Sequence, residues 1–415
     1  MGRPPQAVTA PPAPVIDCAD PLVEWLLSEA PALPSTDMMI AELGDRLNKA
    51  GLPIARIQVG TRTLHPQLFA IGYLWYRGQA AAEEIQRGHD IVTSPVYLDS
   101  PIKVIHDGAP EIRRRLEGPE AVLDFPIMRD LQQEGMTDVL LLPLRSSCNR
   151  PNSFSVSTER PGGFTERDVT VIRRLMPVLS LVLDIKQTKR TAGMLLEVYL
   201  GRNAGRRVLE GRIKRGDVDS IAAALWYCDL RSFTAITEGM SPQDVVLLLN
   251  DYFDCMSGPV HRHDGEVLKF IGDGFLAIFP IKDDLDRDRA CNTALKAAME
   301  SLAALKELNA SRQASGKPLL EVGIALHIGS VMYGNVGAAE RLDFTITGPA
   351  VNLVSRIENL CRDLHYPLLT SAPFASPCGS TLRSIGLHRL RGVAAPQEIY
   401  TLPEMAERQL DAVNA

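Results

Sequence analysis

The chain has 415 residues, 45% of them apolar and 23% charged, the balance of a soluble globular protein too long for a single core. Its formal charge of −6 argues against a nucleic-acid-binding surface and leaves room only for a local basic pocket. Seven cysteines, dispersed at positions 18, 148, 228, 255, 291, 361 and 378 without a Cys-x-x-Cys, argue against a disulfide framework or a zinc site and for reduced thiols.

The N-terminus shows no charged segment leading into an apolar one. Gly2 is followed by Gln6, where N-myristoylation wants Ser or Thr. No uninterrupted apolar run reaches the ~18–20 residues of a membrane helix, so a cytoplasmic protein with no membrane partner is expected. Residues 1–21, rich in proline and alanine, predict a disordered tail. Residues 22–185 mix helix-like segments (22–30, 37–50, 109–117, 127–134) with the strand-like runs ARIQVG, AIGYLWYR and DVLLLPLR. The segment RPGGFTERDVTVIRRLMPVLSLVLDIKQTKR predicts an amphipathic helix capped by Thr165. Val169, Ile172, Leu175, Leu179 and Leu183 form a stripe on it that is available for pairing between subunits. Residues 186–218, rich in Arg, Lys and Gly, predict a helical linker that transmits a signal.

The order of these elements and the GGFTERDVTVIRRLMPVL helix resemble a GAF-type sensor domain, with an unrelated α/β regulatory domain as the competing reading. The resemblance implies a small-molecule ligand, for which Trp75, His89, His106 and Cys148 are available by residue type, although core or surface roles suit each of them as well.

From residue 219 the pattern is clearer. SIAAALWYCDL reads as a buried strand. SPQDVVLLLNDYFDCMSGPVHRHDG reads as a helix with Ser241 as N-cap, Pro242 at the first helical position, Asp244 completing a capping pair and Gly265 as terminator. LKFIGDGFLAIF reads as a hairpin, two short apolar runs hinged on Gly272-Asp273-Gly274. An acid-led Ala/Leu helix to about residue 312 follows, then a strand through LLEVGIALHIGSVMYGNVG, the helix GPAVNLVSRIENLCRDL and a last hairpin. The order β-α-β-β-α-β-β-α-β predicts an α+β, ferredoxin-like βαββαβ domain over 219–405.

Two acids stand at the ends of neighbouring strands of that domain, Asp229 and Asp273. Paired carboxylates with phosphates as further ligands suit Mg²⁺, and two such ions can assist an in-line displacement at phosphorus. The LRSFTAIT segment after Asp229, with Phe233 and Thr234, offers backbone N–H groups as a phosphate seat. Taken singly, each acid is as well explained as a turn residue or a helix cap. Asn352 and Arg356 lie four apart on one predicted helix face and can act on one substrate.

YCDLRSFT, GEVLKFIGDGFLAIF and RLDFTITGPAVNLVSRIE, in this order and spacing, resemble the class III nucleotidyl cyclase catalytic domain. The resemblance implies an adenylate cyclase that closes ATP to 3′,5′-cyclic AMP and pyrophosphate. It implies two metal ions, Mg²⁺ with Mn²⁺ as substitute, held by Asp229, Asp273 and the carbonyl of Leu230. It gives Lys269 and Thr345 to the adenine, Asn352 to the ribose, Arg356 to the charge developing on the α-phosphate and Arg391 to the terminal phosphates. It also implies a head-to-tail homodimer with two sites at the interface, one subunit bringing the acids and the other Lys, Thr, Asn and Arg. This resolves an oddity of LKFIGDGF: Lys269 and Asp273 are too close in sequence to serve opposite ends of one nucleotide. The Lys/Thr pairing resembles that of bicarbonate-sensitive adenylate cyclases, and a lysine is the wrong polarity for guanine, so ATP is expected over GTP. The chain lacks the Gly-Gly-Asp-Glu-Phe turn of diguanylate cyclases. The rival from another class is a catalytically silent module that binds nucleotide or a partner. His263, His327 and Asp264 are bases by residue type only, and structural roles are expected for them.

Overall fold

The computed structural model describes residues 19–147 and 151–407, so the proline-rich tail up to residue 18 and Cys148 lie outside the described residues. The chain divides into two units between Leu195 and Leu196, within one long helix.

In the first unit the elements follow as α1 (Ala19–Ser28), α2 (Thr36–Lys49), β1 (Arg56–Arg62), β2 (Leu68–Tyr76), β3 (Glu83–Gly88), α3 (Pro95–Leu98), α4 (Pro101–His106), β4 (Ile112–Arg115), α5 (Pro126–Gln133), β5 (Asp138–Leu144), β6 (Asn152–Thr158) and α6 (Glu166–Leu200). The strands form one antiparallel sheet in the order β3-β2-β1-β6-β5-β4. Strand alternation sends Ile57, Val59, Ile71, Tyr73 and Trp75 to one face, under α1, α2 and α6. Val139 and Leu141 go to the other face, against Ile105, Met128 and Leu131.

Two expectations fail here for physical reasons. Residues 109–117 are not a helix. They hold the edge strand β4, because pairing with β5 and the Arg113–Asp138 bridge (2.9 Å, with the Asp138 side chain fully buried) override the short i, i+4 apolar pattern of Ile112 and Leu116. The stripe from Val169 to Leu183 is not available to another subunit: all five residues are buried in the unit's own core. Thr165 does cap α6, its hydroxyl accepting from Asp168 N while the Asp168 carboxylate accepts from Thr165 N.

The second unit runs α7 (Arg202–Leu209), β7 (Val218–Leu230), α8 (Phe233–Thr237), α9 (Pro242–Arg262), β8 (Glu266–Ile271), β9 (Gly274–Ile281), α10 (Asp284–Ala314), β10 (Val322–Gly337), β11 (Leu342–Thr347), α11 (Pro349–Asp363), β12 (Leu368–Ser371), α12 (Ala372–Ala375), β13 (Arg383–His388) and β14 (Gln397–Thr401). Its sheet has the order β13-β14-β12-β10-β7-β9-β8, with β11 on β10. The run β10-β7-β9-β8 is the 4-1-3-2 order of a ferredoxin-like βαββαβ core, which puts the first strand between the third and fourth. Helices α9 and α10 cover one face over Trp226, Phe275 and Ile324, and α11 covers the other over Leu225 and Ala325.

Ser241 caps α9 as its sequence predicts, accepting from Asp244 N. The residue that turns the chain out of α9 is Asp264 (φ 58°), however, and not Gly265. Gly265 is needed for space, since a Cβ there would meet Phe279 and Val260 at 2.7 Å. Among the described residues no helix is long and apolar enough to cross a membrane, and the five described cysteines are free thiols.

Candidate active site

β7 carries Asp229 at its end because the strand is long enough to cross the sheet and emerge with its last residues at the edge of the core. Cys228 and Leu230 are buried while Asp229 is partly exposed. The hairpin β8–β9 turns in two residues, Gly272–Asp273, with positive φ at Gly272 alone (63°), as in a type II′ turn. The turn falls within the Gly272-Asp273-Gly274 hinge expected from sequence. Gly274 belongs to β9, directly opposite Asp229 on β7. On its other side Asp229 faces Gly323 of β10. Both flanking residues lack a side chain for steric cause: a Cβ at Gly274 would lie 2.2 Å from the Cys228 carbonyl oxygen and 3.0 Å from Asp229 Oδ1.

This register sets Asp273 next to Asp229. Burial raises both carboxyls above the usual range, and for Asp229 the charge of Asp273 adds to the rise. Two oxygen donors held together against their mutual repulsion are the donor chemistry of a hard divalent cation. Among the described residues no group of three or more His, Cys, Asp or Glu could hold a metal. The pair fits an ion whose remaining ligands come from substrate phosphates and water.

Behind Asp229 lies an element not anticipated from sequence. Arg231 Nη1 stands 3.4 Å from Glu358 Oε1, and both side chains are largely buried. The separation is too long for a strong charged hydrogen bond, and Arg231 Nη2 and Glu358 Oε1 are buried without a hydrogen-bond partner. Burial consequently outweighs the guanidinium, and the Glu358 carboxyl is pushed up to about 7. The pair rests on Gly323, where a Cβ would lie 2.1 Å from Arg231 Nη2.

Asn352 and Arg356 both lie on the exposed side of α11, one turn apart. Glu358 is on the buried side of the same helix, toward Arg231, so within one chain the Asn/Arg pair and the Asp229 environment belong to roughly opposite faces of α11. Lys269 stands on β8, where its ammonium donates to Asp343 Oδ2 of β11 at 2.6 Å. This bond holds the Asp343 carboxyl below the usual range. Asp343 and Thr345 are two apart on β11 and share a face, so Lys269 and Thr345 belong to one neighbourhood. Asp343 was missed in sequence reading, although the alternation of LDFTIT carries the signal. Arg231 and Glu358 are far apart in the chain with no spacing rule to join them.

Phe233 and Thr234 open the five-residue α8, after Ser232 in the left-handed region (φ 53°). Arg391 is not brought to the acids within one chain. It lies in the exposed β13–β14 turn, at the sheet edge opposite β8. His327 is buried, bonded to Ser371 Oγ at 2.7 Å and lowered by burial to about 4, and His263 pairs with Glu300 at 2.7 Å; both serve structure.

Residues 218–366 match the family described as the adenylate and guanylate cyclase catalytic domain. The chain is 35% identical over 178 residues to adenylate cyclase 1 of Rhizobium meliloti, covering 42% of this chain and 26% of that protein. It is 36% identical over 154 residues to an adenylate cyclase of Anabaena cylindrica, covering 36% of this chain and 29% of that one. The chain thus spans under a third of the length of these curated relatives. Among solved structures it resembles the adenylyl cyclase CyaB from P. aeruginosa (26% identity, TM-score 0.41, 45% of this chain and 95% of that one). It also resembles the guanylyl cyclase Cya2 (29% identity, TM-score 0.40, 45% and 93%). Residues 218–366, within the second unit, are thus similar in sequence to the class III adenylate and guanylate cyclase catalytic domain.

Proposed function

We propose that this chain is an adenylate cyclase that converts ATP to 3′,5′-cyclic AMP and pyrophosphate. The observation that carries the reading is the register Asp229↔Gly274, which brings the Asp229 and Asp273 carboxylates together at the open end of β7 and the β8–β9 hairpin. Asp229, Asp273 and the Leu230 carbonyl would hold two Mg²⁺ ions, with Mn²⁺ as substitute. Bound there, the ions would supply Lewis-acid stabilisation of the phosphate oxygens. Arg356 presents a guanidinium fork to the equatorial oxygens of the α-phosphate, while Asn352, one turn away, orients the ribose for in-line attack by its 3′-hydroxyl. Phe233 and Thr234 seat the phosphates, and Arg391 meets the terminal ones. Lys269, steadied by Asp343, and Thr345 read the adenine; a cation at this place favours ATP over GTP.

A head-to-tail homodimer completes two such sites. It is supported by the placement of Asn352 and Arg356 away from the Asp229 face and by exposed apolar side chains beside the hairpin tip, Phe270 (52%) and Ile271 (41%), which ask for a cover. The first unit, with cores of its own, is proposed as a regulatory domain; a chain beginning near residue 215 with the activity and ligand response of the full chain would contradict that role.

The test of the activity is product formation from ATP or GTP with Mg²⁺ and with Mn²⁺, beside Arg356→Ala. Cyclic AMP and pyrophosphate in equal amounts, lowered about 10²–10³-fold in the variant, are expected. No turnover of either nucleotide by the full chain or by its second unit would overturn the reading.

A further inference from the structure

Lys269 and Thr345 stand on strands that are each held by one neighbouring strand. β8 ends its sheet and pairs with β9, and β11 lies off the main order and pairs with β10. The ladder of β8 also shifts register between Val267 and Lys269. Such a bulge re-aims the side chains that follow it, and here residues 266–268 are buried while Lys269 is turned outward. With one partner and a shifted register, the sheet by itself underdetermines where Lys269 points.

The missing constraint is Glu266, the first residue of β8, which is only 7% exposed. Its carboxylate accepts hydrogen bonds from two sides. Asn203, in the first turn of α7, donates its backbone N–H to Oε1 at 3.1 Å and its Nδ2 to Oε2 at 2.9 Å. Tyr333 of β10 donates its hydroxyl to the same Oε2 at 3.2 Å. The Asn203 N–H is one of the donors that a helix start leaves without an internal partner, so Glu266 caps α7 from outside the helix. Gly201, just before α7, has φ 87°, and a Cβ there would come within 3.1 Å of Glu266 Oε1; glycine suits the approach on both counts.

Tyr333 carries the tie onward to the second strand. Its ring meets Phe344 edge-on at 4.9 Å, and Phe344 lies between Asp343 and Thr345 on β11. The same ring is covered from α7, with the Arg207 guanidinium carbon 4.9 Å over its centroid, while Arg207 Nη1 bonds Asp219 of β7 at 2.6 Å. We infer that Glu266 is a positioning residue for base recognition. With Asn203 and Tyr333 it fixes the strands of Lys269 and Thr345 on α7, so the seating of this linker helix sets how tightly and how selectively the base is held. The inference rests on the cyclase reading and adds to it the point at which the linker acts.

The experiment is calorimetric titration of the full chain with non-cyclisable analogues of ATP and of GTP in Mg²⁺, beside kcat and KM for both nucleotides. The variants are Asn203→Ala, Tyr333→Phe and Glu266→Gln. Alanine is the better helix former at position 203, so that variant keeps its fold. Each should weaken the ATP analogue about tenfold, as loss of one hydrogen bond to a charged group predicts, and narrow the preference over the GTP analogue. KM should rise in step while kcat stays within about threefold, since Asn352 and Arg356 on α11 are not moved. Asn203→Ala and Glu266→Gln together should cost less than their sum, because they act through one contact. Arg202→Ala, on the exposed side of the same helix, should change none of these. Unchanged affinity and discrimination in Asn203→Ala and Glu266→Gln, beside a full chain that does discriminate, overturns this inference alone. A fall in kcat with KM kept does the same. A full chain that binds neither analogue overturns the cyclase reading and this inference with it.

Discussion

Gly274→Ala tests whether the register around Asp229 positions the acid. The added carbon would stand 2.2 Å from the Cys228 carbonyl oxygen, 3.0 Å from Asp229 Oδ1 and 3.2 Å from Asp229 Cα. Comfortable heavy-atom contact is ~3.5 Å or more, so the shortfall against the carbonyl exceeds about 1 Å. That oxygen is backbone and cannot rotate aside. β7 and β9 must separate at the residue pair that joins Asp229 to the hairpin bearing Asp273. Overpacking of this kind costs about 1–3 kcal/mol of stability. A displacement near 1 Å at a positioning group lowers turnover about 10²-fold. The control is Gly272→Asn in the same hairpin. Gly272 has φ 63° with nothing within 4 Å of its missing Cβ, and asparagine tolerates that backbone, so the turn should survive. Cyclic AMP formation at saturating ATP and Mg²⁺, with urea unfolding alongside, reads both effects. Wild-type turnover in Gly274→Ala, or equal damage in Gly272→Asn, would refute the steric account.

Four further outcomes are expected. The Glu358 carboxyl titrates near 7 in the folded chain against an ordinary 4.5, so the native state keeps a proton that the unfolded chain releases between those values. Stability should therefore fall as pH rises through that window, by about 3 kcal/mol in all. Urea unfolding in EDTA, followed by Trp226 fluorescence in a Trp25→Phe, Trp75→Phe background, should show this slope vanish in Glu358→Gln; an unchanged slope would assign it elsewhere. Asp343→Asn releases Lys269 and should raise KM for ATP and narrow the ATP-to-GTP ratio of kcat/KM. Because the pair is half exposed, stability should change by less than about 1 kcal/mol. Mg²⁺ with a non-cyclisable ATP analogue should raise the melting temperature of the second unit, since a divalent cation relieves the repulsion between Asp229 and Asp273. EDTA or Asp229→Asn should remove the gain. Mixing Asp273→Asn with Arg356→Ala chains, each inactive alone, should restore about a quarter of wild-type activity, because half the dimers are mixed and each has one intact site. No recovery on mixing would argue against shared sites.

The second unit was largely legible in its sequence because its signals are local. The alternation of β7 and β10, the Ser241 cap and the acid-led α10 depend on neighbours in the chain, and Asn352 and Arg356 share a face by helix period alone. Local rules also mislead where tertiary pairing competes. Residues 109–117 carry a brief helical pattern, yet an unsatisfied edge of β5 recruits them as a strand. The stripe from Val169 to Leu183 looks like a dimer seam in isolation, but the first unit's own sheet consumes it.

What the amino-acid order determined by itself, then, is which acids, amides and cations exist at helix and strand ends, and the order of elements that carries them. Only the tertiary structure decided the glycine flanks of Asp229, the Arg231–Glu358 pair and the Lys269–Asp343 bond. Each of these depends on distances across the sheet or between layers. Backbone register and close packing set such distances, and no periodicity along the chain encodes them.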